Sequence, residues 1–447
     1  MKKFLLTIVF ISFSIFSQHL SKVYVLSEGG FTPNSSALSM LNLSTNQFTT
    51  NIFTGGNLGL YPDGLIFHND RLYITEQGNF GSSGKIYRLD TLGNVQASAL
   101  VGTNPYSLAI ANNKIYVTNG PASNVSVLSL ADFTFIKNIP VGVYPQEIVE
   151  FAGKIFVANN SLFGGSSDST VSVIDPMRDS VVATIVVKKD PSSFAVSNDN
   201  HLLIGCPGDQ NTGRIFKVTP QSFQIVDTYT IPNYGFSKDI SVDKNSNDIY
   251  FISNNNDIVK FNLSTRQSSI VISSVFPNNF YYGYAYDYVN SKHYVLDAKN
   301  FTVNGNLYIY SNNGLLLNTY QTSTAPRRIL FKYVTPSTKV EDNLIAENFQ
   351  LNQNYPNPFN PSTIISWQSP VSSWQTIKVF NSLGEEIETI VDGYYEAGKH
   401  STLYILNSKL PSGVYFYRLQ AGDPSTGSPK GQAGQVFVQT KKMILIR

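Results

Sequence analysis

Short apolar runs recur along most of the chain, separated by segments rich in Gly, Asn, Ser and Asp. Runs of this kind, rich in β-branched and aromatic residues, predict strands joined by turns. One run recurs seven times as a basic or polar residue followed by a sequence of the Lys-Ile-Tyr-Val kind. Its copies begin at Lys22, Arg71, Lys114, Lys154, His201, Asp248 and Lys292. The spacing of 40 to 49 residues indicates an internal structural repeat.

Two further runs follow most copies, and a fourth precedes them with the pattern Pro-x-x-apolar. That pattern begins at Pro62, Pro105, Pro145, Pro191 and Pro326, and two copies without the proline begin at Ser237 and Tyr281. Four short strands in about 45 residues are typical of a β-propeller blade. We therefore predict an all-β fold in which residues 18–337 form a seven-bladed β-propeller.

The two ends of this region predict how the ring closes. The first repeat, at residues 22–53, has three runs and no preceding Pro-x-x-apolar strand, whereas the last such strand, at 327–334, has no repeat after it. Together they would complete one blade. Closure of this kind removes the sheet edges that would otherwise be exposed at the seam.

The repeats also resemble a known family. The segments KIYVTNG and NVSVLSL, KIFVANN and STVSVID, and the preceding YPQEIVEFAG are similar to the YVTN-type family of seven-bladed propeller repeats. The resemblance covers residues 22 to about 334. It implies the fold but no single function, because such propellers include surface proteins, lactonases, lyases and dehydrogenases.

The last hundred residues differ in composition and motif. A polar stretch at 338–347 is typical of a linker. Residues 348–447 hold short alternating strands with frequent turns, which predict a small Ig-like β-sandwich. Segments that begin at Asn354, Leu383, Leu410 and Lys441 occur there in order, with the sequences NYPNPFNP, LG, LPSGVY and KKMILIR.

This segment closely resembles the C-terminal sorting domain of the type IX (Por) secretion system of Bacteroidetes. The resemblance implies recognition by the outer-membrane secretion translocon, followed by release or attachment at the outer-membrane surface. The expected motif residues are Asn354, Tyr355, Pro356, Asn357, Pro358, Leu383, Gly384, Gly413, Tyr415, Lys442 and Met443. The domain organisation therefore predicts a secreted, extracellular or surface-attached protein.

The N-terminus supports export. Residues 1–17 combine two lysines, an apolar stretch too short to span a bilayer and a small residue before Gln18, which together predict a signal peptide. We predict no transmembrane segment elsewhere. Cys206 is the only cysteine, so no internal disulfide can form, and we expect it to be a buried structural thiol.

Composition narrows the possible partners. The 447 residues carry 32 Lys and Arg against 30 Asp and Glu, a balance too even for a nucleic-acid-binding protein. Charged residues make up only 14% and aromatic residues 13%, which excludes a disordered chain and fits packed sheets. We expect a monomer that binds a polar or anionic ligand or a surface protein.

Ligands of propellers commonly bind where the innermost strands begin. The repeat alignment places ten residues there: Asp63, Tyr106, Gln146, Glu147, Ser192, Lys238, Asp239, Tyr282, Arg327 and Arg328. The paired arginines are suited to a carboxylate or phosphate. The alternative is that these charges neutralise one another at a solvated rim.

Catalytic motifs are weak. The five histidines fall at unrelated repeat positions, no G-x-S-x-G elbow occurs, and we assign no catalytic or metal-binding residue and no cofactor. The segment from Asp243 to Asp248 has oxygen-bearing side chains at calcium-loop spacing but lacks the glycine and the final Glu, so calcium is a weak candidate beside a plain hairpin turn.

Two functions stay open. The sequence favours a surface-displayed binding or adhesion protein over an enzyme. The alternative is an exported metal-dependent hydrolase, lactonase or lyase, with Asp63, Glu147 and Asp239 around a metal at the channel mouth. The neighbouring lysine and arginines would repel such a metal.

Overall fold

The computed structural model describes residues 18–30, 35–161, 167–209, 212–274, 279–334, 348–360, 362–371, 373–395, 398–405, 410–421 and 437–446. Every helix or strand in these ranges is a β-strand, so the predicted all-β class is confirmed. None of the same ranges contains a helix able to cross a membrane. The chain divides into two compact units, Met1–Pro336 and Ser337–Arg447. The predicted signal peptide at 1–17 and linker at 338–347 lie outside the described residues.

In the described part of residues 19–334, the strands form seven antiparallel sheets of four strands each. Six sheets take four consecutive strands. They comprise β4 (Pro62–His68), β5 (Arg71–Glu76), β6 (Ser83–Leu89) and β7 (Val95–Thr103); β8 (Pro105–Ala111), β9 (Lys114–Asn119), β10 (Asn124–Ser129) and β11 (Phe135–Pro140); β12 (Pro145–Phe151), β13 (Lys154–Asn159), β14 (Thr170–Asp175) and β15 (Ser180–Val186); β16 (Ser193–Val196), β17 (Leu202–Asp209), β18 (Thr212–Val218) and β19 (Ile225–Pro232); β20 (Phe236–Val242), β21 (Asp248–Ser253), β22 (Ile258–Asn262) and β23 (Ser268–Ile272); and β24 (Tyr281–Asp287), β25 (Lys292–Asp297), β26 (Asn304–Ser311) and β27 (Leu316–Thr324).

The remaining sheet joins the two ends of this region. Its strand order is β28 (Pro326–Val334), β1 (His19–Ser27), β2 (Ala37–Asn42) and β3 (Gln47–Thr49). β28 pairs with β1 in antiparallel register, with Val23 opposite Phe331 and Val25 opposite Ile329. The last strand of the unit therefore hydrogen-bonds to its first, and the edge that either strand would expose alone is covered.

The second strand of each sheet packs against sheets on both sides. Tyr116 on β9 lies in one core cluster with Ile155 of the following sheet. Its neighbour Val117 points to the opposite face and packs with Ile86 of the preceding sheet. Because both faces are covered, the Lys-Ile-Tyr-Val runs are continuously apolar rather than alternating. Each such buried side chain contributes about 1.5–3 kcal/mol.

The first strands of the sheets form a closed circle. Each of β4, β8, β12, β16, β20, β24 and β28 contacts the next, and β28 contacts β4. Side chains also link adjacent sheets: the hydroxyl of Thr75 donates to the Tyr106 carbonyl at 2.7 Å, and that of Thr118 donates to the Gln146 carbonyl at 2.7 Å. These contacts hold the beginnings of the inner strands together around one centre.

The Pro-x-x-apolar pattern has a structural reason. The residue before each of its five prolines has left-handed backbone geometry, with φ of 44° to 57° at Tyr61, Asn104, Tyr144, Asp190 and Ala325. The proline then fixes φ for the first residue of the turn or strand. Left-handed geometry is costly for residues other than glycine, so the surrounding sheets must hold these turns in place.

The second unit has two sheets. One contains β29 (Gln350–Leu351), β30 (Ser362–Ser369) and β33 (Gly398–Ile405), and the other has the order β32 (Glu386–Tyr395), β31 (Ser373–Phe380), β34 (Gly413–Ala421) and β35 (Phe437–Leu445). Trp367 of the first sheet shares a core with Ile377, Tyr417 and Met443 of the second. Alternate residues along β30 are buried, as expected for a sheet with one face towards the core.

Candidate functional site

Charged and aromatic side chains meet where the inner strands begin. Eight of the ten residues predicted for this position are joined there by direct contacts or mutual electrostatic interaction, together with one residue that the sequence did not predict. We call this set the mouth cluster: Glu28, Asp63, Tyr106, Glu147, Lys238, Asp239, Tyr282, Arg327 and Arg328. Six of the seven described sheets contribute to it.

Arg328 connects three sheets. Its Nε donates to the Asp63 carbonyl at 3.1 Å and to Asp63 Oδ1 at 2.6 Å, and its Nη2 donates to Glu147 Oε1. The guanidinium also lies 5.8 Å from the centroid of the Tyr106 ring. The Asp63 side chain is only 1% exposed, so its charge depends on Arg328 for compensation.

Arg327 binds the opposite side of the circle. Its Nη1 donates to both carboxylate oxygens of Asp239, at 3.1 and 2.9 Å, and to the Tyr282 carbonyl at 3.3 Å. Its Nη2 lies 3.8 Å from Glu147 Oε1. Asp239 has left-handed geometry with φ of 59°, and its Oδ2 also accepts from the Tyr284 amide at 3.1 Å. The adjacent arginines of the closing strand thus bind acids of three other sheets.

Tyr282 contacts the two remaining charged residues of the cluster, Glu28 and Lys238. Its hydroxyl lies 3.2 and 3.1 Å from the two carboxylate oxygens of Glu28 and donates to them, and the Lys238 ammonium lies 4.1 Å from its ring centroid. Sequence reasoning missed Glu28 because it follows β1 rather than beginning an inner strand. The sequence did carry a signal for Glu28, because this position is charged in the first repeat only, compared with the next three. The aligned residues there are the uncharged Gln77, Gly120 and Asn160.

Burial perturbs the two groups beside Tyr282. It raises the pKa of Glu28 to about 7, and the Asp63 carboxylate adds to this rise while Arg327 opposes it. It lowers the pKa of Lys238 to about 8, with a further contribution from Arg327. Both groups are therefore poorly solvated and lie within reach of the cluster's other charges.

Several polar atoms of the mouth cluster have no hydrogen-bond partner among the described residues. Asp63 Oδ2 is fully buried and has none. The Lys238 ammonium lies over the face of Tyr282 and makes no hydrogen bond in the described residues. Glu28, whose carboxylate is bound only by the Tyr282 hydroxyl, likewise keeps unused hydrogen-bonding capacity.

Gln146 and Ser192 occupy equivalent positions but have different partners. Gln146 Oε1 accepts from the Asn160 amide at 3.1 Å, and the Ser192 hydroxyl donates to the Ser237 carbonyl at 3.2 Å. Neither side chain is joined to the charged groups by a hydrogen bond. They link neighbouring segments of the chain at the same end of the sheets.

The sorting motif is anchored in the core of the second unit. The Asn354 amide donates to the Tyr417 hydroxyl at 2.7 Å, and Asn354 Nδ2 donates to the Thr363 hydroxyl at 2.9 Å. Asn357 Oδ1 accepts from the Ile444 amide at 2.9 Å, which ties the motif to the last strand.

Other motif residues divide between turn, core and surface. Leu383 is 82% exposed beside Gly384, whose φ is +85° in a tight turn. Tyr415 and Met443 are buried and lie opposite each other on β34 and β35. Tyr355 is exposed, and the Tyr355–Pro356 and Asn357–Pro358 peptide bonds are cis. Gly413 begins β34, and Lys442 on β35 lies opposite Phe416.

The first unit matches a family model described as Domain of unknown function (DUF5074), over residues 22–339. The chain belongs to this family. A second model, the Secretion system C-terminal sorting domain (Por_Secre_tail), matches residues 353–428. The predicted sorting domain and localisation are thus confirmed: the DUF5074 protein is exported, and is secreted or attached at the cell surface. No match was found among curated proteins.

Solved structures similar to this DUF5074 protein are propeller-like. A quinonprotein alcohol dehydrogenase-like protein of Bacteroides thetaiotaomicron is 16% identical, with a TM-score of 0.57 over 70% of this chain and 79% of that one. A periplasmic gluconolactonase of Pseudomonas aeruginosa is 14% identical, with a TM-score of 0.52 over 70% and 100%. Hydrazine synthase of Kuenenia stuttgartiensis is 15% identical, with a TM-score of 0.51 over 62% and 96%. At these identities the likeness establishes the propeller fold alone.

The candidate calcium segment forms a hairpin turn. Asp243 Oδ1 accepts from the Asn245 amide at 2.9 Å and Oδ2 accepts from the Ser246 hydroxyl at 2.9 Å, so both oxygens serve the turn. Across the described ranges, no three His, Cys, Asp or Glu side chains are arranged to hold a metal ion.

Proposed function

We propose that this DUF5074 protein is a surface-displayed binding or adhesion protein, built as a monomeric seven-bladed, YVTN-type propeller with its binding site at the mouth cluster. In this proposal residues 1–17 are a signal peptide, 18–337 the propeller, 338–347 a linker and 348–447 an Ig-like sorting sandwich that is recognised by the secretion translocon. The seven four-stranded sheets and the closed circle of inner strands support the blade count.

The mouth cluster is the observation that carries the proposal. Residues far apart in the chain converge there, and the cluster retains a buried carboxylate oxygen and an ammonium without hydrogen-bond partners in the described residues. Charged groups that keep unused hydrogen-bonding capacity where six sheets converge favour a ligand that uses it.

The same contacts favour binding over catalysis. Asp63, Glu147 and Asp239, the acids that a metal-dependent enzyme would use, each bind an arginine instead. A carboxylate bound in this way is a poor metal ligand and a poor general base, because the guanidinium stabilises its charged form without leaving it free.

A binding screen tests the proposal. The full-length chain is mixed with panels of neutral sugars, amino acids and organic acids, and its thermal unfolding is followed. A ligand that binds only the folded state raises Tm by mass action. We expect at least one class to raise Tm in the wild type and in Lys332→Met but not in Lys238→Met. Lys332 is a suitable control because its ammonium also lies over an aromatic ring, 5.2 Å from the Phe67 centroid, and outside the cluster.

The hydrolase or lactonase alternative has its own test. Lactone and ester substrates are supplied with Ca²⁺, Mg²⁺ or Zn²⁺ to the wild type and to Asp239→Asn. The binding proposal expects no turnover above background with either protein. Metal-dependent turnover that Asp239→Asn abolishes would replace it with the enzyme.

A further inference from the structure

We infer that the mouth cluster binds a neutral, hydroxyl-rich ligand, namely the ring of a free sugar or of a glycan chain end, beside Tyr282 and within reach of Glu28 and Lys238. This inference rests on the proposed function and names its ligand class. It follows from the donors and acceptors that the cluster leaves unused.

The arginines do not favour an anion. Four carboxylates face three cations in the cluster, and three of the carboxylates already bind Arg327 or Arg328. An incoming carboxylate or phosphate would compete with these short ion pairs and would approach the Glu28 carboxylate. The paired arginines, which the sequence offered as an anion site, are therefore structural.

The groups beside Tyr282 require a ligand that both donates and accepts. Glu28 has two carboxylate oxygens whose only hydrogen-bond partner in the described residues is the Tyr282 hydroxyl. Lys238 offers ammonium hydrogens from over the face of the same ring. An ammonium ligand would suit Glu28 but face Lys238 and Arg327, whereas a hydroxyl can donate to the carboxylate and accept from the ammonium.

An aromatic wall completes the site. Phe301 meets Tyr282 edge to face, with the ring centroids 4.9 Å apart. Phe280 lies 5.3 Å from Phe301 and 6.2 Å from Tyr282. All three rings are partly exposed. The Lys238 ammonium and the Arg327 guanidinium lie over the Tyr282 ring, 4.1 and 5.4 Å from its centroid. Phe280 and Phe301 therefore supply the apolar surface against which the C–H face of a sugar ring can pack while its hydroxyls reach the charged groups.

Titration calorimetry on the full-length chain tests the inference, with D-glucose and D-galactose as neutral probes, D-gluconate as the anion and D-glucosamine as the amine. We expect a neutral sugar to bind more tightly than either charged probe. Lys238→Met and Glu28→Gln should each weaken that binding about tenfold or more, the equivalent of one hydrogen bond to a charged group. Lys332→Met should bind like the wild type. Circular dichroism and Tm show that each variant is folded.

The outcomes separate the ligand class from the proposed function. Tighter binding of gluconate or glucosamine, lost in Lys238→Met, overturns the sugar but keeps a binding site at the mouth. Sugar binding that survives both substitutions overturns the placement beside Tyr282. No binding by any probe overturns the sugar, and the wider screen of amino acids and organic acids then decides the proposed function. Maltotriose distinguishes the two sugar sources, because a site for glycan chains gains affinity from additional rings.

Discussion

Replacing Arg328 by Met should destabilise the propeller unit more than any surface ion pair could. The substitution keeps a long apolar side chain but leaves Asp63, 1% exposed, and Glu147, 15% exposed, without the guanidinium that each binds. Removing one partner of a buried pair costs about 3–5 kcal/mol, because an uncompensated charge stays behind. At about 2.1 cal/mol/K of unfolding entropy per residue, a unit of roughly 320 residues loses about 1.5 °C per kcal/mol. We therefore expect Tm to fall by about 5–7 °C.

Arg266 provides the matched control. It also binds a carboxylate, with Nη2 at 2.9 Å from both oxygens of Asp227, and it also lies over a tyrosine, 5.0 Å from the Tyr229 centroid. That pair is at the surface, 51% and 33% exposed, where such pairs contribute about 0.2–1 kcal/mol. Arg266→Met should therefore lower Tm by about 1.5 °C or less.

Calorimetric unfolding of the full-length chain measures both variants. Adding Asp63→Asn and Glu147→Gln to Arg328→Met should recover part of the loss, because the stranded charges are then gone. Equal Tm changes for Arg328→Met and Arg266→Met would refute the argument that the mouth-cluster arginines stabilise the unit through buried ion pairs. A triple variant less stable than Arg328→Met alone would contradict the charge-based explanation.

Three further outcomes are expected. Glu28 has a folded-state pKa of about 7, above its unfolded value, so the wild type should lose stability relative to Glu28→Gln as pH rises from about 4.5 to 7; a constant Tm difference between the two across that range would contradict the burial argument. Burial raises the pKa of the Cys206 thiol to about 12, so iodoacetamide should label the chain after denaturation but not before, as mass spectrometry would show. Deleting residues 349–447 should leave the protein in the periplasm, and surface exposure of that truncation by protease accessibility would contradict the role of the sorting domain.

The sequence predicted the fold class well because the repeat is encoded locally. A strand buried on both faces must be continuously apolar, and most turns into an inner strand here contain a proline. Both features therefore recur as short sequence motifs. The propeller fold and the sorting domain were identified from such motifs, and the comparisons confirmed both. The blade count and the cleavage of a signal peptide stay predictions.

The sequence predicted which residues lie together at the candidate site but not how their charges pair. The repeat alignment located Asp63, Glu147, Arg327 and Arg328 at one end of the inner strands, yet it could not show which charges pair. Arg328 and Asp63 are 265 positions apart, and Arg328 and Glu147 are 181 apart. Such pairing depends on which side chains meet across the circle of inner strands, and local sequence patterns do not encode those contacts. Glu28 was missed because it lies in the turn after β1.

The resulting geometry separates stability from binding within one cluster. Arg327 and Arg328 bind acids of three other sheets, so their loss should change unfolding. Lys238 makes no hydrogen bond among the described residues, and its contact with the Tyr282 ring is worth about 0.5–2 kcal/mol, against which its burial is a cost. Lys238→Met should therefore change Tm little while weakening the ligand. Lys238 also balances part of the negative charge of Asp239, Glu28 and Asp63. A large loss of Tm in Lys238→Met would show that this charge balance, rather than ligand binding, is its role.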